Sequence, residues 1–313
     1  MKEKVMSFWT RVFGRGATTL PADGSGQTAS FKPRIPRKAA AFKLNAVDCG
    51  DEWPKTWDRL LAPGWALEGH FTMWDVAGFV REQRLAYPDA HLFAVLEDVH
   101  QAFYTSGHAL ERDGLADIEP EKTPGLHPAS FESFADGEPA EFIGLSHPSE
   151  FPIRHAMFMD FAGKSAAGAW QGQLHWGDGK HGGPSIVGGR PERPEILGWE
   201  WGWDKHSYVM RVPVQTAAEA IAAFPNGYFY GDLQADQNYH LAKHLDETFD
   251  LRIFGLGATY AGYMRDTPLS KSEASALGAN LAKLYSKAPD DVAKQIADIV
   301  YGQHTFFLSY ADR

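Results

Sequence analysis

The side chains with the best spacing for chemistry follow Ala235. Asp236, His240 and His244 recur at i, i+4 and i+8, with Glu247 three residues further on, so a helix would place all four on one face. Two imidazoles four residues apart can share a transition metal, and carboxylates can complete its sphere. The arrangement His-Glu-x-x-His, which would add a general base beside the metal, does not occur in the chain. The competing account is a polar helix face beside the apolar stripe of Leu241 and Leu245, which needs no ligand.

A second acid and base set is His175, Asp178, His181 and His206, which would suit a hydrolase if neighbouring strands bring the four together. At its centre lies Gly177-Asp-Gly-Lys-His-Gly-Gly183, whose backbone amides could approach an anion. The order of a P-loop is missing and no helical pattern follows, so the stretch reads as a connection between strands. Gly255-Leu-Gly257 fails as a dinucleotide fingerprint, because Tyr260 stands at the third glycine and a strand follows instead of a helix. Cys49 lies among acidic neighbours that disfavour a thiolate, and no Gly-x-Ser-x-Gly elbow exists. No cofactor is expected. Trp199, Trp201 and Trp203 alternate onto one strand face, where they would either fill core or form a binding platform.

These residues need elements to position them. Residues 208–214 read as a strand, and Thr216 with Glu219 opens a short Ala-rich helix ending near Phe224. Residues 228–230 read as a strand, and a helix from Ala235 carries Leu241, Ala242, Leu245 and Phe249 toward a core. Residues 251–254 and 259–264 then form a hairpin. An echo of this order runs from 42 to 105: strand 42–47, helix 53–61, strand 65–67, a helix capped by Thr72 and Asp75, and strands 92–96 and 102–104. Gly69 and Gly231 lie 162 positions apart, as do Tyr87 and Phe249. The expectation is an α+β fold, with a mixed, mostly antiparallel sheet in two related β-α-β-α-β-β halves and helices packed on one side.

Four regions follow from this reading. Residues 1–41 form an amphipathic start and a flexible basic linker, and 42–139 the first half with a long, irregular connection. Residues 140–207 read as β-rich, with strands at 141–145, 153–161, 170–176 and 198–203. Residues 208–313 hold the second half, two C-terminal helices and a final strand. Ser270 with Glu273 caps the first of those helices, and residues 304–310 are apolar enough to lie inside the sheet.

Composition narrows the function. The 313 residues carry a net charge of −10, but residues 1–43 hold nine Lys and Arg against Glu3 and Asp23, leaving −17 on the rest. An acidic body is a poor surface for nucleic-acid phosphate and a good one for a basic protein partner. Cys49 is the only cysteine, so no intrachain disulfide forms and a reducing cytoplasm is expected. No run approaches the ~18 apolar residues of a membrane span. Val5, Phe8, Trp9, Val12 and Phe13 make one helical stripe that could give weak membrane-surface contact. The reading that leads is a soluble, non-catalytic protein-binding module of the inhibitor, immunity or adaptor type, with a hydrolase as the alternative.

Overall fold

The computed structural model describes residues 43–51, 53, 60–97, 99–134, 138–176, 186–188, 206–229 and 231–311. In chain order these form β1 (Lys43–Gly50), β2 (Gly64–His70), α1 (Met73–Gln83), β3 (His91–Leu96), α2 (Val99–Arg112), β4 (Phe131–Glu132) and β5 (Glu141–Phe142). Then come α3 (Phe151–Gly163), β6 (Ile186–Gly188), β7 (His206–Val212), α4 (Ala235–Phe249), β8 (Arg252–Gly257), β9 (Tyr260–Met264), α5 (Lys271–Leu281), α6 (Val292–Val300) and β10 (Thr305–Ser309).

Eight strands make one sheet in the order β1-β2-β7-β3-β8-β9-β10-β6, and β4 pairs with β5 separately. Neighbours in the large sheet are antiparallel except β3 and β8, which run parallel. β1 is one edge, and its register slips between Asp48 and Gly50. The fold is thus α+β with a mostly antiparallel sheet.

Side-chain alternation sorts the strands' residues onto two buried faces. In β3, Leu92, Ala94 and Leu96 join one cluster while Phe93 and Val95 join the other. The larger cluster is where helices α2 to α6 pack on a single face, through residues such as Val99, Phe158, Leu241, Leu277 and Ile296. On the opposite face α1 lies alone among the described helices, seating Met73, Val76, Ala77 and Val80 against Trp65, Leu67 and Val209. A capping box closes the start of α1: Asp75 N donates to Thr72 Oγ1 at 3.3 Å and Thr72 N to Asp75 Oδ2 at 2.8 Å.

Several elements differ from the sequence reading. Residues 153–161, expected as strand, lie in α3, because Pro152 sits at the first helical turn and the segment is apolar nearly all round. Residues 102–104 fall within α2, which buries Val99, Ala102, Thr105, Ser106 and Ala109 at helical spacing, two of them polar. Residues 228 and 229 are irregular where a strand over 228–230 was expected; Gly227, just before them, has φ 114°, and a Cβ there would sit 1.9 Å from the Leu233 carbonyl. Residues 170–176 are turn with a single bridge, Leu174 to Tyr285. Residues 198–203 lie outside the described residues.

The two expected halves interleave, because β7 of the second lies between β2 and β3 of the first, and β3 then pairs with β8 at the centre of the sheet. Ala94, Val95 and Leu96 pair with Gly255, Leu256 and Gly257, a constant offset of 161. Where β3 ends, Glu97 adopts φ 63°, and its carboxylate accepts from Thr259 N at 2.6 Å, from Tyr260 N at 2.9 Å and from the Thr259 hydroxyl. One side chain therefore ties the exit of β3 to the β8–β9 turn. None of the described helices is long and apolar enough to cross a membrane.

Candidate functional site

Helix α4 forms as its pattern demands. Gln234 and Gln237 make a reciprocal cap at its start, Leu241, Ala242, Leu245 and Phe249 are buried, and Asp250 ends it in the left-handed region at φ 54°. The polar face holds the predicted donors, but each is engaged elsewhere. Asp236 is 8% exposed and takes the hydroxyl of Ser165 on Oδ2. His240 Nε2 lies 3.0 Å from the Ala162 carbonyl and must donate to it, since that oxygen can only accept. His244 Nε2 lies 3.1 Å from Asn280 Oδ1, and its ring stacks on Trp170 at 5.5 Å. Among the described residues no three His, Cys, Asp or Glu side chains come together as a metal site. Helical spacing alone puts side chains on a face; it does not turn their donor atoms toward one point.

What α4 does build with α3 is a shallow pocket of about 280 Å3, lined by Met159, Gly163, Tyr239, His240, Lys243 and Glu247 among others. Lys243 and Glu247 neutralise one another at 2.5 Å. With its Nε2 proton committed to Ala162, His240 keeps the Nδ1 lone pair as an acceptor.

Of the second predicted set, two residues lie on described elements. His175 is exposed on the turn that bridges to Tyr285, while His206 begins β7 and pairs in register with Glu68 of β2. Asp178, His181, Trp199, Trp201, Trp203 and the stripe of Val5, Phe8, Trp9, Val12 and Phe13 lie outside the described residues.

A different region gathers charge. Residues 113–150 contain nine Asp and Glu and a single Lys. Asp117, Glu119, Glu121, Glu132, Glu138 and Glu141 are exposed, and Lys122 pairs with Glu119 at 2.6 Å. In the β4–β5 hairpin Phe131 faces Phe142, with ring centroids 5.6 Å apart, and Glu132 faces Glu141. Like charges directly opposite across a ladder disfavour the pairing. Phe134, just beyond, is 59% exposed.

The hairpin is anchored from below by Glu150, which is fully buried. Its carboxylate accepts from His127 N at 2.8 Å, Ser146 N at 2.8 Å, His147 N at 3.0 Å and the Ser130 hydroxyl at 2.7 Å. Burying an ion costs several kcal/mol, and only a full set of donors of this kind offsets it. Arg154, one turn further along α3 and 5% exposed, is pushed down to about 10 by burial, against the pull of Glu150. Above this node the rings of His127 and His147 stack at 3.7 Å and 12°. Each histidine precedes a proline and caps a short 3-10 turn, with Nδ1 accepting from Ala129 N and Ser149 N, both at 3.1 Å. Sequence reading passed over this node, although His127-Pro128 and His147-Pro148, each shortly after a Gly-Leu pair, repeat a pattern visible in the chain. Compared with known proteins, the chain matches no protein-family model, no curated protein and no solved structure.

Proposed function

We propose that this protein is a non-catalytic protein-binding module and that the acidic 113–150 segment, centred on the β4–β5 hairpin, receives a basic partner. The observation that carries this reading is the exposed Glu132–Glu141 pair, held in register beside exposed Phe134. Lysine or arginine from a partner would relieve the repulsion, and an exposed aromatic ring is the usual anchor of such a patch. The reading keeps the inhibitor, immunity or adaptor class, in the cytoplasm.

The test is quantitative affinity capture from the native cell with the full chain and with Glu132→Lys/Glu141→Lys. A stoichiometric basic partner should bind the parent chain, weaken as salt is raised, and be lost with the double variant. Equal capture by both proteins would refute the assignment.

A hydrolase remains the second reading, favoured by His240, whose Nε2–H is pinned to Ala162 while Nδ1 stays an acceptor beside the α3–α4 pocket. A substrate screen in which His240→Asn loses activity would support it; no turnover by the parent chain would end it. Duplication of the two halves draws support from the in-register β3–β8 pairing and from α1 and α4 lying on opposite faces, as a two-fold axis along those strands requires. Against it, β7 lies between β2 and β3, β2 has no counterpart strand at 228–229, and α2 stands where β9 stands in the other half.

A further inference from the structure

We propose that the stacked pair of His127 and His147 is a proton-sensitive latch on the acidic hairpin, so that acidification loosens its base at residues 127–130 and 146–150. The consequence for a partner rests on the binding surface assigned above; the latch itself is a property of the isolated chain.

Each Nδ1 is an acceptor for a backbone amide, Ala129 N for His127 and Ser149 N for His147. A nitrogen that accepts from an N–H carries no proton, so both rings are neutral with the proton on Nε2. Histidine is the side chain whose ordinary charge change falls between about pH 5 and 8. A second proton must go to Nδ1, where it would face the capping N–H directly, donor against donor. At His147 the Ser149 hydroxyl, 2.8 Å from Nδ1, can rotate to accept that proton. His127 has only the Ala129 amide at this atom, so its turn is the one that opens. Charging both rings also places two cations face to face at the 3.7 Å stacking distance.

Glu150 and Arg154 are the charged groups of this node, and they decide whether a nearby anion could rescue the imidazolium. Glu150 meets the pair through the histidines' main-chain amides, and its oxygens are already occupied by those amides, Ser146 N and Ser130 Oγ. It therefore offers no acceptor to a ring proton. Arg154, behind it, is a cation and opposes further positive charge. The same Glu150 and Ser130 hold the base of the hairpin, where Ile143 N donates to Ser130 O at 2.9 Å. Opening the turn at His127 thus releases one end of the strand that presents Glu132.

The experiment is amide hydrogen exchange on the purified full chain at pH 7.5 and 5.5, corrected for intrinsic exchange. Protection of the Ala129, Ser130 and Ser146 amides should fall at least tenfold at the lower pH, while amides of β3 change less than twofold. In His127→Asn/His147→Asn the asparagine oxygens can keep both caps without titrating, and protection should be equal at the two pH values. Unchanged protection in the parent chain overturns the latch, as does equal loosening in the double variant. The parent-chain measurement alone decides if the variant does not fold. Because no partner is present, loss of the latch leaves the binding assignment standing, and the capture test above can fail without touching the latch.

Discussion

The guanidinium of Arg211 on β7 reaches back over the ring of Trp65 on β2, 4.6 Å from its centroid, to hold the carboxylate of Asp48 on β1 at 2.9 Å. Three successive strands are stitched by this one side chain. The hydrogen bond from Arg211 holds the Asp48 carboxyl below the usual carboxylate range; burial opposes the shift and the Gly50 amide adds to it. A depressed folded-state value contributes stability that is present above about pH 4 and is lost as the pH falls through the folded value. Half of the Asp48 side chain is exposed, so solvent weakens the pair. Asp48→Asn should cost about 0.5–1 kcal/mol at pH 7. Urea midpoints of the two proteins should converge in acid below the folded value; a gap that persists there would assign the loss to packing.

Glu132→Lys alone should stabilise the hairpin while harming recognition. It converts a like-charge cross-strand pair into an opposite one, worth roughly 0.2–1 kcal/mol, and removes an anion from the surface assigned to a basic partner. Thermal unfolding and partner titration on the same sample should move in opposite directions. If stability falls, the pair is not the source of strain.

Glu97→Ala should destabilise by roughly 2–3 kcal/mol, because it strips the acceptor from the Thr259 and Tyr260 amides while leaving a non-glycine residue at positive φ. Denaturant unfolding would measure this. Glu97→Gln, which keeps one acceptor, should recover part of the loss, and a loss no smaller than that of alanine would show that the charge carries the effect.

Gly64→Ala probes the closeness of β2 and β7. A Cβ at this position would sit 2.0 Å from the Val209 carbonyl, a main-chain atom that cannot step aside without moving its strand. A penalty of roughly 3 kcal/mol is expected, read as a lowered urea midpoint, whereas alanine at Gly78, with nothing near its Cβ position, should raise stability by up to about 1 kcal/mol.

Much of the framework was legible because local chemistry and tertiary burial agree. Thr72 with Asp75 and Ser270 with Glu273 cap the helices they announce, and the run at residues 305–308 is buried in a strand paired on both sides. Legibility ended where the buried line of a helix includes polar or charged residues. The buried line of α2 includes Thr105 and Ser106, and that of α3 is Phe151, Arg154, Phe158 and Ala162 with Met157, Met159 and Phe161 half-buried beside it, so apolar residues alone do not trace either face. The predicted site on α4 failed for another reason: spacing placed His240 and His244 on a face, but Ala162 and Asn280, on other elements, took their protons. The repeated His-Pro pairs were visible, but their meeting at Glu150 was not, because its donors come from residues 127–130 and 146–147, joined only when the hairpin between them closes.

The parallel neighbours at the middle of the sheet, β3 and β8, are contributed by residues 94–96 and 255–257. During synthesis the exit of β3 must therefore wait, with its Glu97 carboxylate unmatched, until residues 255–260 have left the ribosome. Late closure of the most distant pairing slows folding and lengthens exposure of apolar strand edges. A chain stopped before β8 would lack the centre of the sheet and leave one side of β3 open at Ala94, Val95 and Leu96, so truncation there should give an aggregating product.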